Sequence, residues 1–390
     1  MTAAHKEPPL SLYIHIPWCV AKCPYCDFHS LPRPGPLPET PYVRAVIADL
    51  AHNQDVLAGR TVASIFLGGG TPSLFSEAAI AEMLAGVERH ATLARDCEIT
   101  LEANPGTLES GRFRAFREAG VTRLSLGVQS LHDPALRALG RIHDARTARS
   151  AMEAAAGAGF QSFNIDLMYG LPGQTVAQAL ADVRGALSVQ PPHLSLYELT
   201  IEAHTAFAHN PPPLPAEDER LAIEDAVTEA ACAAGYERYE ISAYARPGHR
   251  CVHNLNYWRF GDYLGLGSGA HSKLTGLTGV SRPVRIADPA RYMADEGRVA
   301  TCRRLSEGDV LFEFLLNALR LTEGFSEDLL RARTGHDFAS LDRLWAHAVE
   351  QGLLQREQDR MRTTPLGRRF LDSLLTDFLT NADTVSAKAS

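Results

Sequence analysis

Residues 12–28 read LYIHIPWCVAKCPYCDF, a short apolar run followed at once by three cysteines. Leu12–Ile16 lacks polar alternation, as expected of a strand that is buried on both faces of a parallel sheet. Cys19, Cys23 and Cys26 follow on a loop, separated by three and then two residues. In a reducing compartment such a cluster favours metal binding over disulfides. The stretch therefore predicts a metal site at the carboxyl end of the first strand.

Five more short apolar runs follow. The segments between them, such as Ser110–Ala119 and Ala145–Ala158, have apolar residues at helical spacing. The runs are Ala63–Leu67, Glu98–Leu101, Arg123–Leu126, Ser162–Leu167 and His193–Leu199. Six strand–helix units in series predict right-handed crossovers and a parallel sheet. We predict an α/β fold, an open six-unit (β/α) partial TIM barrel, with a flat doubly wound sheet as the alternative. In either case ligands are expected at the carboxyl ends of the strands.

A proline-rich break at Asn210–Pro215 divides the chain. We predict a core over residues 1–209, a connecting region over 210–305 and a mainly helical C-terminal domain over 306–390. A short hairpin around Leu353–Thr364, after several amphipathic helices, makes that last domain winged-helix-like. Such modules often bind nucleic acid, but this tail is not strongly basic. It is predicted to serve as packing or partner surface.

The bulk composition is that of a globular protein. The 390 residues are 45% hydrophobic and 22% charged, with a formal net charge of -8. This charge gives no general attraction to nucleic acid or to anionic membranes. His5, Lys6 and Glu7 interrupt the position of a signal peptide, and no apolar run is long enough to span a bilayer. A soluble cytoplasmic protein is expected.

The three clustered cysteines have more than one possible ligand. A loop of this size can wrap one iron–sulfur cubane and leave the fourth iron without a protein ligand. A structural zinc site, completed by His15 or His29, and free thiols are the alternatives. The position directly after a strand favours iron–sulfur. The other four cysteines share no spacing and are expected to be small buried apolar residues; they are Cys97, Cys232, Cys251 and Cys302.

With Tyr25 immediately before Cys26, the C-x3-C-x2-C pattern resembles the radical S-adenosylmethionine superfamily. In that superfamily the amino and carboxylate groups of S-adenosylmethionine chelate the open iron. An electron from the cluster can then cleave the sulfonium and release a 5′-deoxyadenosyl radical. The resemblance implies a [4Fe-4S] cluster held by Cys19, Cys23 and Cys26, with S-adenosylmethionine bound to it.

The later strand ends carry further motifs. The sequence 68–72 reads GGGTP, in which glycines allow the backbone to approach a ligand or simply form a tight turn. Glu102 follows the third strand, where its carboxylate needs a ligand or an ion pair. The series GVQS, GRIH and NIDLMYGLP resembles the oxygen-independent coproporphyrinogen oxidase group. These resemblances imply the S-adenosylmethionine residues Tyr13, Tyr25, Gly69, Gly70, Thr71, Glu102, Gln129, Arg141 and Asp166.

Two features choose a branch of that group. The decarboxylating branch has another cysteine where this chain has Phe28. The element HNLNYW, with His253, Asn254, Tyr257 and Trp258, precedes GLGSGAHS at 265–272. Together they resemble the HemW-type haem chaperones and imply a haem site. A histidine beside aromatic rings suits haem, although His253 and Asn254 can equally cap a turn while the aromatics pack in the core.

Two functions of different class follow from this resemblance. In the first, the protein binds haem and passes it to an acceptor protein, such as a membrane-bound respiratory enzyme, through peripheral contact. In the second, it is a radical enzyme that decarboxylates coproporphyrinogen. Phe28 and the HNLNYW element favour the carrier, so enzymatic activity stays open and no catalytic residue is assigned. The resemblance also implies a homodimer.

Overall fold

The computed structural model describes residues 7–33, 35–107, 111–294 and 298–386, with side chains to residue 379. Its first part alternates strands and helices. In chain order these are β1 (Leu10–Ile16), β2 (Trp18–Cys19), β3 (Leu31–Pro32), α1 (Glu39–His52), α2 (Gln54–Leu57), β4 (Thr61–Gly69), α3 (Glu77–His90), β5 (Thr92–Ala103), α4 (Arg112–Glu118), β6 (Arg123–Gln129), α5 (Asp133–Ala138), α6 (Ala145–Gly157), β7 (Ser162–Tyr169), α7 (Val176–Leu187) and β8 (His193–Glu198). All six predicted strands are present. Ser110, the predicted start of α4, lies outside the described residues.

The connecting region adds helices and strands to this core. It contains α8 (Ala206–His209), α9 (Glu217–Ala233), β9 (Glu237–Arg238), β10 (Ala243–Ala245), α10 (Val252–Trp258), β11 (Asp262–Leu266), β12 (Leu274–Gly276), β13 (Gly279–Arg285), α11 (Pro289–Met293) and β14 (Val299–Arg304). The main sheet has nine strands in the order β11-β1-β4-β5-β6-β7-β8-β10-β9. The strands from β11 to β8 are parallel, whereas β10 runs antiparallel to both of its neighbours, β8 and β9. Three strands after residue 209 therefore complete the core sheet.

The two faces of the sheet differ in chemistry because side chains alternate along each strand. On β1, Leu12 and Ile14 face the outer helices and join a core cluster with α1 and α3. A second cluster packs β6, β7 and β8 against α6, α7 and α9. The opposite face carries polar groups such as Ser11, Ser64 and Asn164. Residues of five parallel strands, β4 to β8, and of the cysteine loop after β1 line one cavity on this polar face, so the sheet curves around it. The predicted partial barrel is confirmed.

The C-terminal part has its own core of helices and a small sheet. Its elements are α12 (Glu307–Ala318), β15 (Phe325–Ser326), α13 (Glu327–Thr334), α14 (Asp342–Glu350), β16 (Leu354–Glu357), β17 (Arg360–Thr363), α15 (Pro365–Arg369) and α16 (Leu371–Ser386). The hairpin β16–β17 lies where it was predicted. Phe260 from the connecting region packs edge-on against Phe314 of α12, with 6.0 Å between ring centroids. This contact continues the apolar core from the connecting region into the C-terminal part.

The expectation that the four scattered cysteines are buried is wrong for two of them. Cys251 is buried and Cys97 is partly buried, but Cys232 and Cys302 are exposed. Cys232 lies on the outer side of α9, and Cys302 lies on β14, an edge strand whose six residues are all exposed. Their positions on a helix surface and a sheet edge explain the error, because neither segment has a pattern that marks one cysteine as buried.

Candidate functional site

The three clustered cysteines lie on a loop whose two ends pair with each other. Strand β2, with Cys19, pairs in parallel with β3, and so closes residues 20–30 into a loop beyond β1. Within it the Cys26 N–H donates to the Cys23 carbonyl at 3.1 Å. All three cysteines line one cavity of about 300 Å³. Among the described residues, no three His, Cys, Asp or Glu side chains are grouped as ligands of a single metal ion.

The two histidines considered as extra zinc ligands bond to the protein instead. Both ring nitrogens of His15 are used: Nδ1 meets the Tyr13 hydroxyl at 2.9 Å, and Nε2 lies 2.8 Å from the His29 carbonyl oxygen. The Nε2 of His29 lies 2.8 Å from the Ala287 carbonyl oxygen. Burial lowers the pKa of His15 to about 4, which keeps the ring neutral. These contacts give both histidines a role in holding the cysteine loop to the rest of the fold.

The cavity brings together residues from strands that are far apart in the chain. It is lined by eight of the nine residues predicted for S-adenosylmethionine: Tyr25, Gly69, Gly70, Thr71, Glu102, Gln129, Arg141 and Asp166. Tyr13 does not line it, because it lies in the middle of β1, where its ring packs on Phe66 at 6.4 Å between centroids. Tyr13 therefore lies below the cavity, next to the residues that line it.

The glycine run is required by close packing as well as by the cavity. A Cβ at Gly70 would lie 2.4 Å from the Trp18 carbonyl oxygen, so only glycine lets the β4 end pass the cysteine loop. Gly69 has φ of 112°, which favours glycine. Its N–H donates to the Glu102 carboxylate at 3.2 Å. The glycines thus form a tight turn, as the alternative interpretation predicted, and Gly69 and Gly70 also line the cavity.

Two carboxyl groups in the cavity lie outside the ion pairs of the described residues. Glu102 and Asp166 form no salt bridge to a side chain in the described part of the chain. Burial raises the pKa of Glu102 to about 8, the nearby Asp166 acts in the same direction, and the Gly69 N–H opposes both. Burial likewise raises the pKa of Asp166. Two carboxyls desolvated together favour a cationic ligand, and the ammonium and sulfonium groups of S-adenosylmethionine fit this requirement.

Arg141 places a positive charge beside the cysteines. Its Nη1 lies 3.5 Å from the Cys23 sulfur and 3.5 Å from the Tyr25 hydroxyl, and its Nη2 donates to the Gly127 carbonyl at 2.6 Å. The Nε is buried and has no hydrogen-bond partner in the described part of the chain. A buried donor without a partner is costly. The Nε can therefore donate a hydrogen bond to an acceptor on a ligand. The positive charge of the guanidinium favours thiolates near its Nη1.

Gln129 has an unusual backbone conformation at the end of β6. Its φ is 70°, in the left-handed region that non-glycine residues rarely adopt. The pairing of β6 with β7 shifts register between Gly127 and Gln129. The side-chain oxygen of Gln129 accepts a hydrogen bond from the Tyr197 hydroxyl at 2.6 Å. Strain of this kind occurs at binding sites, where it directs a side chain towards the ligand.

Several cavity residues were not predicted from the sequence. Besides Phe28, the cavity is lined by Ser30, Asn104, Ser125, Gly127 and Tyr197. Asn104 comes two residues after Glu102, and Tyr197 lies near the end of β8. A rule that counts every polar residue at the carboxyl end of a strand as a candidate site residue would predict both. Ser125 lies inside β6, where no local signal marks it as a site residue; in the structure it lines the cavity and donates to Asp166 at 3.1 Å.

The HNLNYW element lies apart from the cavity, on helix α10. His253 is only 3% exposed, and its Nδ1 lies 3.0 Å from the Ser64 hydroxyl. Its ring packs between those of Phe66, at 4.9 Å, and Tyr257, at 5.3 Å. Burial lowers the pKa of His253 to about 3. None of the four predicted haem residues lines the cavity. His253 instead contacts Ser64 and Phe66 on the inner face of β4, below the cavity.

The other end of α10 contacts the C-terminal part of the protein. The guanidinium of Arg320 lies 4.4 Å from the centre of the Trp258 ring, and Arg320 also pairs with Glu240 at 3.2 Å. Phe260, two residues further, packs on α12. Helix α10 therefore joins the inner face of the barrel to the C-terminal core.

Comparison with known proteins identifies relatives along the whole chain. The Radical SAM superfamily model matches residues 13–184, and the HemN C-terminal domain model matches residues 305–370. The heme chaperone HemW of Escherichia coli is 47% identical over 387 residues, with 96% of this chain and 99% of the relative covered. A bovine mitochondrial protein, radical S-adenosyl methionine domain-containing protein 1, is 36% identical, with 95% and 87% covered.

A solved structure has the same fold along nearly the full chain. Coproporphyrinogen III oxidase (HemN) from Escherichia coli, described as a radical SAM enzyme, superimposes with a TM-score of 0.81. It is 24% identical, and the alignment covers 97% of this chain and 92% of that one. This likeness supports the fold, including the C-terminal part.

Proposed function

The chain belongs to the heme chaperone HemW family of the radical S-adenosylmethionine superfamily, and we propose that it binds haem and delivers it to an acceptor protein. The observation that carries this proposal is 47% identity to a heme chaperone over nearly the full length of both chains. Membership of the superfamily implies a [4Fe-4S] cluster and S-adenosylmethionine. The oxidase alternative is not favoured by these relatives.

We propose that Cys19, Cys23 and Cys26 hold the cluster at the cavity. Three protein thiolates leave one iron open, and S-adenosylmethionine would bind there. When bound there, a [4Fe-4S] cluster would supply one-electron reducing chemistry. The residues of this chain would bind and orient the ligand. Gly69 and Gly70 would do so through close backbone approach, and Thr71, Gln129 and Tyr25 through polar contacts. Glu102 and Asp166 would contribute charge and Arg141 its Nε donor, while Tyr13 would support these residues from below.

S-Adenosylmethionine should release a proton from Glu102 when it binds. Without ligand the pKa of Glu102 is about 8, so near pH 7 the group is mostly protonated. A bound cation favours the carboxylate, so binding releases up to about one proton and affinity rises with pH until about pH 8. Calorimetry of the cluster-loaded protein in buffers of different ionisation enthalpy measures this release. Glu102→Gln should release about one proton fewer than the native protein.

A matched control for that experiment is Glu118→Gln, which changes an exposed glutamate on α4. It should release as many protons as the native protein. Equal proton release from Glu102→Gln and from the native protein would show that Glu102 is not the group linked to S-adenosylmethionine.

Two regions of the protein are candidates for the haem site. His253, Asn254, Tyr257 and Trp258 remain the predicted haem residues, but His253 is buried, so α10 would have to move before the ring could reach an iron. Three apolar side chains at the cavity and the cleft beside it, in contrast, are already exposed. Phe28 lines the cavity with 59% of its surface exposed, and Val20 and Ile142 lie exposed around the adjoining cleft. A flat macrocycle can pack on such side chains.

The decisive experiment compares haem binding with coproporphyrinogen turnover. We expect the reconstituted protein to bind haem stably and to form no vinyl product during anaerobic incubation with coproporphyrinogen, reductant and S-adenosylmethionine. The haem spectrum and product chromatography measure the two outcomes. His253→Ala tests the predicted ligand in the same titration. Vinyl product would refute the carrier-only function, and absence of haem binding would refute the carrier itself.

The remaining parts of the proposal concern partners and location. No helix among residues 7–33, 35–107, 111–294 and 298–386 has the length and apolar character to cross a bilayer. We propose a cytoplasmic protein that reaches a membrane-bound acceptor, such as a respiratory enzyme, by peripheral contact. A homodimer is also proposed, and sedimentation of the cluster-loaded protein tests it.

A further inference from the structure

The cavity carboxylate Asp166 is the end of a hydrogen-bonded chain that runs through the interior of the barrel. Asn164 Nδ2 donates to Asp166 at 2.7 Å, and the Asn164 side-chain oxygen accepts from His193 Nδ1 at 2.7 Å. His193 Nε2 lies 2.8 Å from the Tyr239 hydroxyl. That hydroxyl accepts from the backbone N–H of Cys251 at 3.3 Å. Cys251 immediately precedes α10, so the chain links that helix to the cavity.

The carboxylate at one end sets the direction of every bond in this chain. A carboxylate can only accept, so the Asn164 NH₂ group faces Asp166 and the Asn164 oxygen faces His193 Nδ1. The His193 proton must then lie on Nδ1, where it donates to the Asn164 oxygen. Nε2 is left as an acceptor for the Tyr239 hydroxyl proton, and the Tyr239 oxygen accepts from the Cys251 N–H. Every donor therefore points towards the Asp166 carboxylate.

His193 suits this role because its ring stays neutral. The side chain is 1% exposed, and burial lowers its pKa well below the ordinary value, with Arg123 and His249 acting in the same direction. Neutral imidazole has one donor and one acceptor, so each nitrogen has a defined partner. Ser195 strengthens the arrangement, because its hydroxyl also donates to the Asn164 oxygen, at 3.1 Å.

We propose that His193 and Tyr239 are positioning residues for S-adenosylmethionine. They act by fixing the Asn164 amide, so that Asp166 stays an oriented acceptor. Neither residue lines the cavity. The inference depends on the proposed function in one respect, namely that Asp166 contacts this ligand. Without the chain, the Asn164 amide can turn its oxygen towards Asp166. Two acceptors would then face each other, and the carboxylate would keep the Ser125 hydroxyl but lose the Asn164 donor that orients its other oxygen.

Tyr239→Phe is the sharpest test, because it removes only one hydroxyl and lies three hydrogen bonds from Asp166. We expect S-adenosylmethionine to bind about tenfold more weakly to the cluster-loaded variant, as is typical when one buried hydrogen bond of a network is lost. Anaerobic equilibrium dialysis measures the affinity. The change that S-adenosylmethionine causes in the paramagnetic resonance spectrum of the reduced cluster gives a second readout.

Tyr244→Phe is the matched control. Tyr244 is also buried, and its hydroxyl bonds Thr228 at 2.8 Å, outside the chain. Tyr239→Phe loses two hydrogen bonds and Tyr244→Phe loses one, so both variants should lose thermal stability, but only Tyr239→Phe should weaken binding. At His193, asparagine retains a donor at the Nδ1 position and should bind within about twofold of native affinity, whereas leucine should match Tyr239→Phe.

The outcomes separate this inference from the proposed function. If the native protein binds S-adenosylmethionine and both tyrosine variants bind it equally well, the positioning role is overturned while the function stands. Equal binding by His193→Leu and the native protein would overturn it as well. If the native protein takes up the cluster but binds no S-adenosylmethionine, the proposed function fails, and the inference fails with it.

Discussion

Cys23→Ala should abolish the cluster. In the native protein we expect about four irons and four sulfides per chain after anaerobic reconstitution, with a brown colour. The variant should lose most of both, together with the visible absorbance, because two remaining cysteines cannot hold a cubane with three ligated irons. Cys23 also lies next to Arg141, with 3.5 Å between its sulfur and Nη1, so its thiolate has a charged neighbour in the protein. Iron and sulfide analysis measures the effect.

The control is Cys232→Ala, which removes an exposed thiol on α9 far from the loop in sequence. Its iron and sulfide content should equal that of the native protein. If Cys23→Ala retains iron, or if the purified native protein contains zinc in its place, the cluster assignment is wrong.

The second large effect concerns stability and arises at Asp262, the first residue of β11. Its carboxylate is completely buried and accepts from Lys273 Nζ at 3.0 Å and from Arg60 Nη2 at 2.9 Å. The Thr275 N–H and hydroxyl complete the arrangement at 3.1 and 2.8 Å. Burial lowers the pKa of Lys273 to about 8, and Asp262 opposes that shift. Asp262→Asn leaves this buried ammonium without its counter-ion.

Removal of one partner from a buried ion pair costs about 3–5 kcal/mol. We expect Asp262→Asn to lower the free energy of unfolding in urea by that amount. Asp328→Asn is the control, because its carboxylate is 94% exposed and pairs with Arg331 at 3.8 Å. That change should cost less than about 0.5 kcal/mol. Equal stability of the two variants would show that the buried network contributes nothing beyond packing.

The strands and the strand-end site could be predicted because their signals are local. Each of the six core strands is an apolar run, and the carboxyl ends of parallel strands must meet at one edge. The resemblance named Glu102, Gln129 and Asp166, and this rule is consistent with their lining one cavity. Tyr13 is the exception, because the resemblance that suggested it does not distinguish the middle of a strand from its end.

Other features have no local signal. Strand β11 pairs with β1, a contact between opposite parts of the chain that no pattern within either segment reveals. His253 illustrates the same limit, since the spacing in HNLNYW is compatible with an open haem ligand and with a buried ring. Only the tertiary contacts with Ser64 and Phe66 distinguish them. The exposure of Cys302 likewise depends on β14 lying at a sheet edge.

The pairing of β1 with β11 has a consequence for synthesis of the protein. At translation rates of roughly 5–20 residues per second, the ribosome adds β11 on the order of tens of seconds after β1. During that interval one edge of β1 lacks its partner, and His29 lacks the Ala287 carbonyl that holds its ring. The nascent cysteine loop is therefore incomplete until nearly three quarters of the chain exists.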